Sequence, residues 1–530
     1  MNSGNLRISA FFLAFIIPLI AGIFFNVIPY IGAGLELLPG DLGDTRFNIF
    51  ILEHGKQFMT GEVQEYWNAS FMYPEAEVIS LSDNLIGTAP IYAFYRIIGL
   101  DLFTAFQWWT ITLVILNYAC SFKLFDFIFK NPWIAGIAAF IFTFSLSLAS
   151  QMNHAQTFPR FALPLALWAL LMWDKNLKPK YFVLASTLLV YQFYCGIYLG
   201  FLFFIPFFTV FLIVGIKNKK TIFQQLSSIR TLLFYTISII INLILVYWLF
   251  APYYRRSKDS ALHTYQEISH SLPGLLSYLT PPPESLIHGY LEGNMLGHPA
   301  FWDHWIFSGW IAFGSFILVS LLLVFRFKKL KKILGRPLII LLFAGLMTFL
   351  FTLRIDEYSL YYFIQKIPGY GAMRSMTRVI NVQILFFALS AGTLFLLIIR
   401  KTKIRSWSVF LVALPLLIVD NFLLFDAANT TAKKTMQNRH ENIVSKLEHV
   451  PEGSIISYEP DTSELQSTII HYQIDAMLGA QALHLKSVNG YSARAAYNFD
   501  RYWMVPNKEN RSFWFARFPE IDTSSIVVVK

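Results

Sequence analysis

Apolar residues fall in long runs, each close to the roughly 20 residues a helix needs to cross a bilayer's hydrocarbon core. Runs at about 8–30, 102–129, 133–150, 158–173, 181–197, 198–216, 231–250, 304–325, 337–353, 379–399 and 407–425 predict about eleven spans. The stretch 181–216 is read as two of them, because one helix of that length would overshoot any bilayer. The first run follows Arg7, is too long for a signal peptide and ends in no small-residue cleavage site. It is expected to stay as an anchor whose amino end faces the cytoplasm.

Polar residues are distributed unevenly between these runs. Lys175, Lys178 and Lys180, then Lys217, Lys219 and Lys220, then the cluster from Arg326 to Arg336, then Arg400 to Arg405 crowd short loops. With a cytoplasmic amino end, all of these loops fall inside, the bias expected of a multi-pass protein. Three regions on the other side are longer: 31–101, about 251–303, and 426–530. The first holds ten carboxylates against Arg46, Lys56 and Arg96. In the last, a helical pattern at 440–449, a strand at Ser454–Tyr458, a helix at 463–478 and a strand at Ser524–Lys530 predict a small α/β domain. The expected architecture is an all-α polytopic membrane domain over 1–425, including the first outer loop with its surface helices, followed by an extracytoplasmic α/β accessory domain over 426–530.

Composition narrows the function classes. Of 530 residues, 55% are hydrophobic and only 14% charged, which excludes a soluble enzyme, a disordered regulator and a disulfide-stapled secreted domain. A net charge of +10 would suit nucleic acid, but its short-loop placement is already explained by topology, so no nucleic-acid partner is expected. Cys120 and Cys195 lie in apolar stretches and read as packed thiols without metal-ligand spacing. The carboxyl-terminal tail contains no nucleotide-binding glycine motif, which disfavours chemistry powered by a soluble nucleotide on that side.

The richest chemistry lies in Gly40-Asp41-Leu42-Gly43-Asp44-Thr45-Arg46, directly after the first span. Two carboxylates sit three residues apart in a glycine-loosened turn. Phe47, Phe50, Ile51 and Phe58 follow on one helical face, predicting a helix that lies on the membrane. Asp44 could hold an acid at the lipid–water boundary, or simply cap that helix. Asp83 and His154 have similarly plain alternatives, as a helix cap and a solvated turn residue.

The order of these features resembles the GT-C superfamily of polyprenyl-phosphate-sugar-dependent glycosyltransferases, in its bacterial form. The segments GDLGDTRFNIFILEHG, SDNLIGTAPIYAFYRIIG, NHAQTFPRFALPLALW and IPGYGAMRSMTRV carry the resemblance, over about residues 5–425. It implies an inverting transferase of the cell envelope, moving a sugar from a polyprenyl phosphate to a lipid, glycan or protein acceptor on the outer face of the bacterial cytoplasmic membrane. The family's catalytic aspartate carries over to Asp44, with Asp41 as second choice. Such a donor already has a good leaving group. One carboxylate to take the acceptor proton and cations to hold the phosphate would suffice.

Arg374 and Arg378, spaced i, i+4, are the preferred cations, with Arg160 as a possible third; arginines at a membrane edge also snorkel to lipid headgroups. Arg354 is weaker, because Asp356 and Glu357 offer it ordinary partners. The resemblance makes Asp83 and His154 pocket-lining candidates. A divalent ion, Mg or Mn, could bridge Asp41, Asp44 and the donor phosphate, but the sequence supplies no compact ligand set and leaves the metal open. Two other classes compete. A lipid or solute transporter would need ionisable groups near mid-membrane, whereas Asp126 and Asp420 lie near span ends. A non-catalytic membrane assembly factor of the same fold would differ only in activity.

Overall fold

Each of the eleven apolar runs contains a helix. In the computed structural model, which describes residues 3–530 apart from 153, 259–262, 296, 299–300, 425–428 and 461–467, the main helices run in chain order as follows. The first is α1 (Ser3–Asn26), followed by α2 (Asp44–Thr60) in the first outer loop, α3 (Leu102–Phe129), α4 (Pro132–Phe144), α5 (Ala162–Asn176), α6 (Pro179–Cys195) and α7 (Ile197–Leu226). Then come α8 (Ile229–Ser257), α9 (Trp310–Phe325), α10 (Arg336–Thr352), α11 (Ile380–Thr402), α12 (Ser406–Asp420), α13 (Lys433–Leu447) and α14 (Ile469–Ala482). The break expected within 181–216 falls at Gly196, between α6 and α7.

Among the described residues, six helical stretches are long and apolar enough to cross a membrane: Ser9–Asn26, Leu102–Phe129, Pro132–Ala149, Ile197–Leu226, Ile229–Ser257 and Met376–Thr402. A seventh is reached if α9 and the helix Phe327–Ile333, bent by 109°, count as one span. The other helices among the eleven have 15 to 17 residues, about 22–26 Å at 1.5 Å per residue. That is short of the ~30 Å core, so length and composition do not by themselves make eleven spans. Burial separates these helices further. The apolar window of α8 is 17% buried in the protein and that of α11 is 72% buried, so α8 lies at the periphery and α11 at the centre of the helical core.

The carboxyl-terminal segment contains a parallel sheet of β3 (Ile455–Tyr458), β4 (Lys486–Ser487) and β5 (Val527–Val529) in the order β4-β3-β5, with α13 and α14 packed beside it. Two of these strands lie where the sequence placed them. The helix expected over 463–478 appears as α14, and 461–467 fall outside the described residues. Two further strands, β1 (Leu37–Pro39) and β2 (Thr430–Ala432), pair antiparallel and tie the start of this segment to the first outer loop.

That tie continues as one apolar core crossing the expected domain limit. Phe47, Phe50, Phe71 and Met72 cluster with Met477, Leu478, Tyr502 and Trp514. Backbone bonds from Met72 N to Asn489 O (3.0 Å) and from Ser487 N to Ser70 O (2.6 Å) stitch the two regions together. Helix α2 is therefore buried in protein, not laid on the membrane as its Phe47/Phe50/Phe58 face predicted. The reason lies on its other faces, where Arg46, Glu53, His54 and Gln57 are also buried and must be satisfied. Arg46 pairs with Asp475, which Arg439 also reaches at 3.2 Å; Glu53 accepts from Arg96 at 2.8 Å; His54 meets the Tyr66 carbonyl at 2.7 Å; and Gln57 donates to Gln481 O at 3.3 Å.

Candidate active site

The two aspartates of the first outer loop have different jobs. Asp41 Oδ1 accepts the backbone N–H groups of Gly43 and Asp44, both at 2.9 Å, and so satisfies donors at the start of α2. A Cβ at Gly43 would sit 3.3 Å from that oxygen, so glycine keeps the turn open. Asp44, the first residue of α2, is relieved of capping. Its Oδ1 accepts the Tyr491 hydroxyl at 2.8 Å and its Oδ2 lies 3.3 Å from His154 Nδ1. Burial raises the pKa of this carboxyl, but the hydrogen bond and charge of His154, the Tyr491 hydroxyl and the Arg378 charge outweigh burial and hold it below the usual carboxylate value. Asp44 is thus a carboxylate held between two polar side chains, with its pKa below the usual value.

Both aspartates line a cavity of about 1520 Å³, which also receives Asp83, His154, Arg374 and Arg378. The arginines do not share a helical face. Arg374 lies in irregular chain and Arg378 in the 3-10 turn Met376–Val379 that leads into α11. They converge because the Tyr198 hydroxyl accepts the backbone N–H of Arg374 (2.6 Å) and Ser375 (3.2 Å), pinning the loop, while the Arg378 guanidinium lies 4.8 Å from the Tyr198 ring centre. Arg378 Nε has no hydrogen-bond partner, and neither arginine has a carboxylate within ion-pair distance among the described residues. Two guanidinium groups are therefore available to an incoming anion.

Asp83 does cap a helix, but a distant one: its Oδ1 accepts Ile197 N at 2.5 Å, at the start of α7. Burial pushes its pKa up to about 6, against the backbone bonds of Ile197 and Tyr198 and the Arg378 charge. Arg160 stands apart from the cavity. It is buried, donates to the Phe142 carbonyl at 3.2 Å, stacks on the Phe142 ring at 5.0 Å and borders a separate void of about 70 Å³. The free carbonyls at the end of α4 attract it inward, which removes it from the set of clamp residues. Arg354 is also elsewhere, bonded to Ser269 O at 3.0 Å, not to Asp356 or Glu357.

The rest of the cavity wall changes character. Leu189 and Phe193 of α6, Phe201 and Phe204 of α7, and Val246 and Phe250 of α8 add an apolar lining. Among the polar cavity residues not singled out in the sequence are Tyr198, Tyr491 and Arg494. Only the Asn489-Gly490-Tyr491 turn hinted at the last two, and nothing in its composition names a site.

Among the described residues no three His, Cys, Asp or Glu side chains converge as a metal shell. Asp41 and Asp44 fit only an ion whose remaining ligands come from phosphate and water, as hard divalent cations allow.

No family model matches the chain, and no curated protein does. Similar solved structures include the oligosaccharyltransferase AglB of the archaeon Archaeoglobus fulgidus, in complex with an inhibitory peptide and a dolichol-phosphate, and the Archaeoglobus fulgidus oligosaccharyltransferase in the apo form. The first is 12% identical and the second 11%; each match covers 96% of this chain and 68% of the other, with a TM-score of 0.49. Both proteins are archaeal, and the bacterial character that the sequence resemblance implied is not borne out.

Proposed function

We propose that the chain is a membrane glycosyltransferase that takes a sugar from a polyprenyl-phosphate donor and passes it to a lipid, glycan or protein acceptor at the outer membrane face. One observation carries the reading: a single cavity is lined both by Asp44, Arg374 and Arg378 and by apolar side chains of α6, α7 and α8. An amphiphilic phosphate with a long hydrocarbon chain matches both kinds of lining. Neither a soluble nucleotide sugar nor an inorganic anion needs the apolar one.

In the proposed step the acceptor hydroxyl oxygen attacks the anomeric carbon from the face opposite the lipid phosphate, so the configuration inverts. The new C–O bond forms as the bond to the phosphate oxygen breaks, and the lipid phosphate leaves with the electron pair. Asp44 takes the acceptor proton, and His154 lies beside its second oxygen, 3.3 Å away. Arg374 and Arg378 balance the charge that collects on the departing phosphate. Asp41 holds the turn from which Asp44 projects. If a divalent ion binds, Asp41 and Asp44 hold it, and it supplies further positive charge beside the phosphate.

The test is transfer from polyprenyl-phosphate sugars, extracted from the host membrane, by the purified full chain in liposomes. Consumption of the lipid-linked sugar with release of lipid phosphate is expected. Transfer that runs only from a nucleotide sugar, or protein that leaves the lipid pool untouched, would sink the reading, the latter in favour of an assembly factor. Outer-face placement is tested separately: Ser70→Cys should be labelled by an impermeant maleimide on intact cells. The companion position Ser463 lies outside the described residues.

A further inference from the structure

The loop Asn489–Arg494 bridges the two halves of the site. Asn489 is fixed by bonds with both backbone groups of Tyr458, at 2.7 and 2.9 Å, and Gly490 N donates to Gln473 Oε1 at 2.9 Å. A side chain at Gly490 would press on Met72, whose backbone nitrogen lies 3.1 Å from the Cβ position. The loop is thus clamped between the carboxyl-terminal sheet, α14 and the first outer loop. From it Tyr491 reaches Asp44 at 2.8 Å, with its ring edge-on to Phe47 at 5.5 Å. Three residues later Arg494 Nη2 donates to Ala372 O at 3.2 Å, in the segment that carries Arg374. Arg494 lines the cavity and has no carboxylate partner among the described residues.

We propose that this loop is a working part of the transfer site: Tyr491 is the positioning residue that fixes the Asp44 carboxylate, and Arg494 is a third cation against the lipid phosphate. The proposal rests on the donor reading above. The Tyr491 hydroxyl remains protonated, since burial and the Asp44 charge push its pKa up, so it always donates. Holding Oδ1 leaves Oδ2, the oxygen beside His154, as the proton acceptor. The groups facing Asp44 are His154 from the turn before α5, Tyr491 from this loop, Arg378 from the turn before α11, and Asp41 on its own turn.

Two measurements on the full chain in lipid nanodiscs test the two residues. The first is carbodiimide modification of Asp44 against pH, read by mass spectrometry, because only the protonated carboxyl reacts. Tyr491→Phe keeps the ring on Phe47 but removes a donor that lowers the Asp44 pKa, so modification should extend to higher pH than in the parent. An unchanged profile in a folded Tyr491→Phe protein overturns the positioning role. The second is farnesyl phosphate affinity, which Arg494→Gln should weaken about 10- to 100-fold, with partial recovery in Arg494→Lys. Parental affinity in Arg494→Gln overturns the cation assignment. A parent that binds no farnesyl phosphate overturns the donor reading and the Arg494 assignment together, and leaves Tyr491 to be decided by the carbodiimide profile.

Discussion

Helices α2 and α8 both present rows of large apolar side chains and differ in what covers them. Phe47, Phe50 and Ile51 of α2 are at most 5% exposed, whereas Ile241, Leu243 and Ile244 of α8 are 52–62% exposed in the isolated chain. The distinction is carried by their polar residues. Those of α2 are buried and bonded to partners distant in sequence, up to Asp475 and Gln481. In α8, between Thr231 and Pro252, no charged group occurs, and Ser238 and Asn242 bond back to Phe234 O and Ser238 O in the same helix. A buried charge demands a protein partner, whereas an apolar side chain is content with lipid. Hydrophobic pattern alone therefore identifies a helix but not its surroundings.

The strongest way to break this comparison is to remove a partner on which α2 depends. Arg46→Met leaves Asp475 facing only Arg439, and Asp475→Asn leaves Arg46 uncompensated inside the protein. Either should cost about 3–5 kcal/mol, read as a lower thermal midpoint and faster proteolysis of the detergent-solubilised chain. Parental stability in both variants would mean that α2 is not locked to the carboxyl-terminal segment.

Next in size is the separation of the two aspartates at the start of α2. Asp44→Asn keeps the shape but cannot take a proton, so transfer should fall about 10²–10⁴-fold while lipid-donor binding persists. Asp41→Asn should do far less, because asparagine caps a helix about as well as aspartate. If both fail alike and added Mg or Mn shifts the residual activity, the pair shares a metal. A fully active Asp44→Asn protein would refute the base assignment.

Which parts of this were legible follows from the same distinction. The helices could be placed from apolar runs, and two strands of the carboxyl-terminal sheet from short β-rich stretches, because these signals are local. The placement of Asp44, His154, Asp83, Arg374 and Arg378 on one cavity rested on a resemblance, and the geometry that unites them is not local. Tyr198, for instance, gathers the arginine loop from 176 residues away. Arg160 looked equivalent to Arg374 by position at a membrane edge, and only the Phe142 carbonyl explains its absence from the site. Tyr491 sits 447 residues from its partner, beyond the reach of any periodicity.

A smaller effect is expected at the arginine end of the cavity. Arg374→Gln and Arg378→Gln should each weaken farnesyl phosphate binding by about 1.5–3 kcal/mol, measured by titration in nanodiscs. The cost should be larger for Arg378, which is held over Tyr198 and less exposed than Arg374. Unchanged affinity in both folded variants would make them anchors for headgroups.

The smallest effect returns to α8 and sharpens the comparison with α2. Ile244 is 62% exposed and Phe50 is 0% exposed, although both are large apolar residues on long helices. Truncating Phe50 to alanine opens a cavity within protein and should cost about 3–5 kcal/mol. Truncating Ile244 exchanges one lipid contact for another, and lipid fills the gap, so its cost should stay within about 0.5 kcal/mol. Thermal midpoints of the two variants in the same nanodiscs give the contrast directly. A large loss at Ile244 would show that α8 is covered by packed protein in the membrane, and the reading of α8 as a lipid-facing peripheral helix would then fall while that of α2 stood.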